Sequence, residues 1–297
     1  MISLELQAHD SGVWGGLFAV KNRLLLTIVF LCLSAIASVQ AQSFTVLYEF
    51  RGKGDGKDPV AGPIRDAAGD LYGTTMQGGS FDFGTVFGID AQGKETVLHS
   101  FWGGDGALPQ GRLTQDTRGN LYGTTFDGGT PKGGSCRHGC GTVFNLDATG
   151  KFSILYAFSG AADGGNPTGG LIRDQQGSFY GTATSGGDPA ASCGVVFKLD
   201  RNGKQTVLHA FKDFPDGCQP AGGLIRDKAG DLYGATLSGG AYRWGTVFKV
   251  DHTGKETVLY SFTNKSDGGL PEGPLVQDAM GKLSEAWTGI RLAISTV

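Results

Sequence analysis

Cationic excess is missing from this sequence: 25 Lys and Arg stand against 28 Asp and Glu, a net charge of -3 at pH 7. Phosphate backbones require a concentrated Lys/Arg field, so nucleic acid is excluded as a partner. Beyond residue 42 no stretch shows a sustained helical period, and apolar runs never reach the roughly 20 residues that span a bilayer. The 52 glycines of 297 residues lack a three-residue period, which excludes collagen. Regular aromatic and β-branched clusters exclude disorder. The remaining class is all-β, and one such domain of this length is ordinary.

The amino terminus reads as a signal peptide over residues 1–41. Lys21 and Arg23 precede an apolar stretch from Leu24 to Leu33, and small residues follow up to Val39-Gln40-Ala41. Residues 1–19, with Glu5 and Asp10, fit a basic leader poorly and suggest a start near Val20. Cleavage leaves no membrane span and four cysteines, Cys136, Cys140, Cys193 and Cys218. An even count in an exported chain favours disulfides over a metal site. Pairing Cys193 with Cys218, on neighbouring loops, and Cys136 with Cys140, in one loop, is one of the three connectivities that four cysteines allow. In CRHGC, Cys136, His138 and Cys140 offer zinc three crowded ligands and no fourth.

The rest of the chain repeats. Asp66, Asp116, Asp174, Asp227 and Asp278 each open a D-x-x-G tetrad, at intervals of roughly 50 residues, a period that builds solenoids and propellers. A Pro stands seven residues before each of them (Pro59, Pro109, Pro167, Pro220, Pro271), and four before that an Asp (Asp55, Asp105, Asp163, Asp216, Asp267). LYGTT at 71 and 121, FYGTA at 179 and LYGAT at 232 follow, each with a Gly-Gly pair. Runs such as GTVFGID from Gly84 and GTVFNLD from Gly141 end in a second D-x-x-G, and VLYEF, VLHSF, ILYAF, VLHAF or VLYSF closes the unit.

In D-x-x-G the Asp suits the first position of a tight turn and the Gly its left-handed end, so flanking strands fold back as hairpins. One unit then holds four short strands, placed in the first at 62–66, 70–75, 84–90 and 94–101. Such units cannot bury their faces alone and stack as propeller blades. The expected fold is an all-β propeller of about five four-stranded blades in one domain, residues 42–297. Residues 43–50, a lone last strand, would complete the fifth blade and close the ring. The alternatives are an open β solenoid or a fragment of a larger propeller. Residues 282–297 lose the motif and form a degenerate last unit, whose end suggests truncation or frameshift.

The paired motifs L-Y-G-T-T-x-x-G-G and G-T-V-F-x-L-D-x-x-G, four times nearly intact over 43–281, resemble the GloVer-type tandem repeat family of exported bacterial proteins. The resemblance implies export and often a variable surface anchor, with no established activity. The order P-x-G-x-L-x-x-D-x-x-G-x-L-Y is also similar to NHL-like propeller repeats, which bears on fold and not on function.

With the hairpins at one end of the blades, the longer loops share the other, where binding sites are expected. Trp102, Trp244, Tyr242, Phe126 and Phe214 lie on those loops and would stack on sugar rings, or else fill spaces between blades. The five Asp of the Asp-Pro spacing would bind calcium only with further converging oxygens, which no D-x-D-x-D-G loop supplies, so turns are favoured and no cofactor is expected. One reaction centre needs unlike groups that break the repetition. His138, Glu272, Arg112, Asp82, Asp127 and Asp188 are unique but show no mutual spacing, and His99 and His209 stand where other units have Tyr48, Tyr156 and Tyr260. The expected function is an exported, extracellular or periplasmic binding module for a glycan or surface protein. A secreted polysaccharide-directed hydrolase or lyase, and a purely structural protein-binding scaffold, are the alternatives.

Overall fold

In the computed structural model, residues 45–129, 136–278 and 283–285 are described. Each repeat becomes one antiparallel sheet in chain order. The first holds β1 (Ile64–Arg65), β2 (Leu71–Thr75), β3 (Thr85–Ile89) and β4 (Glu95–Ser100). The second holds β5 (Thr114–Gln115), β6 (Leu121–Thr125), β7 (Thr142–Leu146) and β8 (Phe152–Ala157). In the third are β9 (Ile172–Arg173), β10 (Phe179–Ala183), β11 (Val195–Leu199) and β12 (Gln205–Ala210). β13 (Cys218–Arg226), β14 (Leu232–Ser238), β15 (Thr246–Val250) and β16 (Glu256–Ser261) make the fourth, and β17 (Leu275–Gln277) pairs with β18 (Leu283–Glu285) after it. The fold is all-β and of the propeller-blade type. First strands are mostly two residues long, shorter than the sequence suggests.

The hairpins form as the tetrads predict. Asp66 Oδ1 accepts the amides of Ala68, Gly69 and Asp70 at 2.9 Å each, and Asp147 and Asp251 cap their turns likewise. The tyrosine of each YG motif reaches back to its own tetrad Asp, Tyr180 Oη to Asp174 at 3.0 Å and Tyr122 Oη to Asp116 at 3.1 Å. All four sheets carry a register shift at the same place between third and fourth strands, at Val86/Phe87, Val143/Phe144, Val196/Phe197 and Val247/Phe248. A bulge there bends the outer strand and increases its twist.

Apolar packing runs between neighbouring sheets. The Phe ending each VLxxF motif meets, edge to face, the Phe of the next unit's TVF: Phe101 on Phe144 at 5.3 Å, Phe158 on Phe197 at 5.2 Å, Phe211 on Phe248 at 5.0 Å. These rings are fully buried or nearly so, and such pairs contribute about 0.5–1.5 kcal/mol beyond their area.

A second connection joins the units through the backbone. The amide before each repeated Pro donates to the carbonyl before the preceding unit's G-T/V-V-F glycine. The four bonds are Leu108 to Phe83 (3.0 Å), Asn166 to Cys140 (2.7 Å), Gln219 to Cys193 (2.8 Å) and Leu270 to Trp244 (2.9 Å). Leu108, Asn166, Gln219 and Leu270 are left-handed, with φ of 54°, 57°, 58° and 56°. For non-glycine residues this conformation costs on the order of 1–3 kcal/mol and persists only where surroundings impose it. Asp58, before Pro59, shares it at φ 58°, so the conformation belongs to the residue before each repeated Pro. The later Pro rings lie close on the preceding glycine. A Cβ on Gly84, Gly194 or Gly245 would meet the next unit's Pro Cδ at 2.7 Å, and on Gly141 at 2.8 Å.

The amino-terminal segment differs from expectation. Residues 45–50 form no strand and enter no ladder with the last unit among the described residues, so ring closure through this segment is not seen. A strand needs a neighbour for its amides and carbonyls, and among the described residues the last unit contributes β17 and β18. Phe50 nevertheless packs edge to face on Phe87 at 4.9 Å, the contact its counterparts make in later repeats. Residues 1–41, with the expected signal peptide, and 286–297, the greater part of the degenerate last unit, lie outside the described residues.

Below each bulge two threonines share a buried hydrogen bond, Thr75 with Thr85 at 2.8 Å, and Thr125 with Thr142 and Thr236 with Thr246 at 2.9 Å. The third sheet replaces both, with Ala183 opposite Val195 and each fully buried. Losing one partner removes a buried hydrogen bond while the remaining hydroxyl keeps a carbonyl, that of Asp127 at 3.0 Å for Thr125 or of Asp105 at 3.3 Å for Thr142. Losing Thr125 also unpairs the Thr142 amide. In urea unfolding, Thr125→Ala and Thr142→Val are each expected to destabilise by about 1–3 kcal/mol. The double variant, copying the third sheet, should cost about 1 kcal/mol less than the two summed; strict additivity would show that the hydroxyls are not coupled.

Candidate functional site

The Asp of each Asp-Pro spacing is the anchor of a loop. Tyr48, Tyr156 and Tyr260 hydroxyls donate to Asp55, Asp163 and Asp267 at 2.9, 2.8 and 2.8 Å. His99 and His209 do the same work through Nε2, at 2.8 Å from Asp105 and 2.9 Å from Asp216. The same carboxylates take the amides of Arg51, Trp102, Ser159, Lys212 and Thr263. Their oxygens are thereby engaged in fixing the turn that leads into the next unit. The Thr263 hydroxyl foremost holds Asp267 well below the usual carboxylate range. Burial opposes the charge on Asp216, but the His209 ring and the Lys212 amide outweigh it and keep that carboxyl low.

Opposite the hairpins, these anchored loops carry the aromatic residues. Trp102 is 57% exposed, Phe214 64%, Tyr242 58% and Trp244 36%, while Phe126 is half-buried. Sequence reasoning missed Phe81 and Phe83, also exposed. Phe81-Asp82-Phe83 and Tyr242-Arg243-Trp244 precede equivalent glycines, and the central residues share one left-handed backbone, φ 64° at Asp82 and 66° at Arg243. Phe83 and Trp102 flank the turn at Gly103 and Gly104, and Trp244 lies against Gly269. Phe83 and Trp102 therefore meet at the first junction, with Tyr242 and Trp244 at the fourth. Phe126 and Phe214 join neither group among the described contacts. At the aligned position the two middle repeats have Cys140, bonded to Cys136, and Cys193, bonded to Cys218. Two disulfides mark an oxidising compartment.

The other unique residues serve mainly as local caps. Asp82 Oδ1 accepts the Gly78 amide at 2.9 Å, Asp188 the Ala190 amide at 2.8 Å, and Arg112 reaches the Pro63 carbonyl. Asp127 is pushed up by burial and drawn back by His138 and by Asn166, whose Nδ2 donates to it at 3.0 Å. No contact ties Glu272 to any of them among the described residues.

Glu256 was not legible in the sequence. The first residue of each fourth strand faces the previous unit's anchor: Phe152 stacks flat on His99 at 3.9 Å, and Gln205 Nε2 donates to the Asp163 carbonyl at 3.1 Å. At this position Glu256 has a buried Oε1 without a hydrogen-bond partner among the described residues. Burial, opposed by His209 and reinforced by Asp216, pushes its carboxyl up to about 7.

Sheets of one repeat each, stitched end to end and presenting loops on a common edge, define a propeller-type repeat protein. The sequence matches the Gloeobacter/Verrucomicrobia repeat over residues 35–138 and 130–284, and the chain belongs to that family. No curated protein matches it. Among solved structures, a gluconolactonase of Xanthomonas campestris is 16% identical over 76% of this chain and 68% of its own, with a TM-score of 0.46. A protein of unknown function from Dyadobacter fermentans is 10% identical over 77% of this chain and 74% of its own, at 0.48. A luciferin-regenerating enzyme is 17% identical over 82% and 88%, at 0.43. At such values neither reaction nor ligand transfers to this chain.

Because the folded pKa of Glu256 lies above its unfolded value, the folded chain keeps a proton that the unfolded chain releases between about pH 4.5 and 7. Stability from this group is therefore lost as pH rises through that window. Glu256→Gln should match the parent at pH 5 and be more stable at pH 8, by on the order of 1 kcal/mol after solvent screening. Melting temperatures at both pH values test this; an equal difference at the two would place the proton elsewhere.

Proposed function

We propose that the protein is an exported binding module whose exposed loop aromatics take up carbohydrate at or outside the cell surface. The observation that carries this reading is the placing of Trp102, Phe83, Tyr242 and Trp244 on loops fixed by carboxylate anchors and interrepeat bonds. A sugar ring offers an apolar C–H face and a polar rim of hydroxyls. Rigid aromatic faces suit the first at little entropic cost, and Tyr and Trp add a polar handle for the second. Export is supported by the basic-then-apolar amino terminus and by the two disulfides, which need an oxidising compartment.

On a glycan array the exported protein is expected to show saturable binding without product release. Trp244→Ala and Trp102→Ala should each weaken it by about tenfold, equivalent to about 1.4 kcal/mol. Released product would instead favour the hydrolase or lyase reading, and silence on all glycans a protein-binding scaffold.

A further inference from the structure

At the hairpin end of the strands, away from the aromatic loops, two cavities open beside the second and third sheets. One, of about 370 Å³, is lined by Arg118, Arg173, Arg201, Asn145 and Phe179 among others. The other, of about 460 Å³, is lined by Arg173 again, together with Arg226 and the ends of β5 and β9. Volumes of this order hold small molecules.

Arg118 pairs with Asp116 at 3.6 Å and Arg226 lies over the Tyr180 ring at 5.4 Å. Arg173, Arg201 and Arg226 have no carboxylate partner among the described residues. Asp116 also accepts the Arg118 and Asn120 amides, the Asn120 side chain and the Tyr122 hydroxyl. Asp200, the carboxylate lining the smaller cavity, is turned into its own hairpin, where it accepts the Asn202 and Lys204 amides at 2.8 and 2.9 Å. Arg173 rests over the Phe179 ring at 5.8 Å, a cation–π contact that leaves its N–H edges available.

The repeat is also broken at this place. Opposite the YG tyrosine, the third and fourth sheets have Lys198 and Lys249, each about 5.6 or 5.7 Å over the tyrosine ring. The second sheet has Asn145 opposite Tyr122. A shorter side chain leaves the gap open, and its buried Oδ1 accepts no hydrogen bond among the described residues. The site thus offers planar guanidinium forks, which match carboxylate and phosphate oxygens two at a time, beside an acceptor that calls for a hydroxyl.

We propose that this cleft binds a small sugar acid or sugar phosphate, the oxyanion held by Arg173 with Arg118 and Arg201 and a ligand hydroxyl donated to Asn145. The first repeat supplies an internal control. Arg65 occupies the position of Arg173 in the two-residue first strand, but its Nε donates to the Gly69 carbonyl at 3.3 Å and it lines neither cavity. The site lies on different residues from the aromatic loops, so its failure and that of the glycan reading are separable.

The test is titration calorimetry of the mature protein at low salt with D-glucuronate, D-glucose 6-phosphate and D-glucose. Saturable binding of glucuronate, of the phosphate, or of both, with none of glucose, is expected, and the two arms tell carboxylate from phosphate. Arg173→Gln should weaken binding at least tenfold and Arg65→Gln leave it unchanged. Arg201→Gln, on an exposed turn, gives the same reading should Arg173→Gln fail to fold. Absence of binding by both anions, equal binding of glucose, or equal losses in Arg65→Gln and Arg173→Gln would overturn the proposal.

Discussion

The hydrogen bond from the residue before each repeated Pro to the carbonyl before the preceding glycine is the constraint on which the rest of the structure depends. One such bond contributes only about 0.5–1.5 kcal/mol net. Its importance is geometric, because it ties a left-handed residue to the preceding unit and seats a proline ring where only glycine leaves room. Each unit is thereby set against its predecessor at one distance, and the Phe-on-Phe contacts between sheets fall into register. The carbonyl that accepts this bond belongs to Phe83, Cys140, Cys193 or Trp244. Two of the exposed aromatic residues, Phe83 and Trp244, and two of the disulfide cysteines are therefore mounted on the joint itself.

Chemistry enters where the repetition is broken. Replacing both members of a buried threonine pair by Ala183 and Val195 is silent, since no side-chain donor or acceptor is stranded. Replacing one group against an unchanged partner is not. At the position where the middle units have Phe152 and Gln205, Glu95 and Glu256 each bury an Oε1 without a hydrogen-bond partner among the described residues, and burial pushes both carboxyls up. Glu256, facing His209 and Asp216, keeps its proton towards neutrality. Asn145, where two units have lysine, leaves an orphan acceptor beside Arg173 and Arg201, which have no carboxylate partner among the described residues. Identical units build the scaffold, and unlike side chains at equivalent positions give it local function.

The scaffold was largely legible in the sequence. D-x-x-G tetrads located the hairpins and VLxxF motifs the outer strands within a residue or two, because turn chemistry and alternation are local properties. The constant interval between Asp and Pro was visible, as was the exchange of Tyr48 and Tyr156 for His99 and His209. That these form one anchor was not, since the partners lie on opposite sides of a turn and meet only in three dimensions. The arginine cavities were hidden for a different reason: they exist between units, and Arg173 reads in the sequence as one more copy of Arg65 and Arg226. The first segment carries the side chains of a last strand, but a motif does not supply a partner for its backbone, and residues 45–50 pair with no strand among the described residues.

Amide hydrogen exchange of Leu108, Asn166 and Leu270 tests the interrepeat joint most directly, since these amides sit in loops that exchange freely unless the joint holds them. Protection equal to that of Phe144 and Phe197 within the sheets is predicted. Exchange at the rate of exposed turn amides would contradict it, and the repeats would then be held by side-chain packing alone.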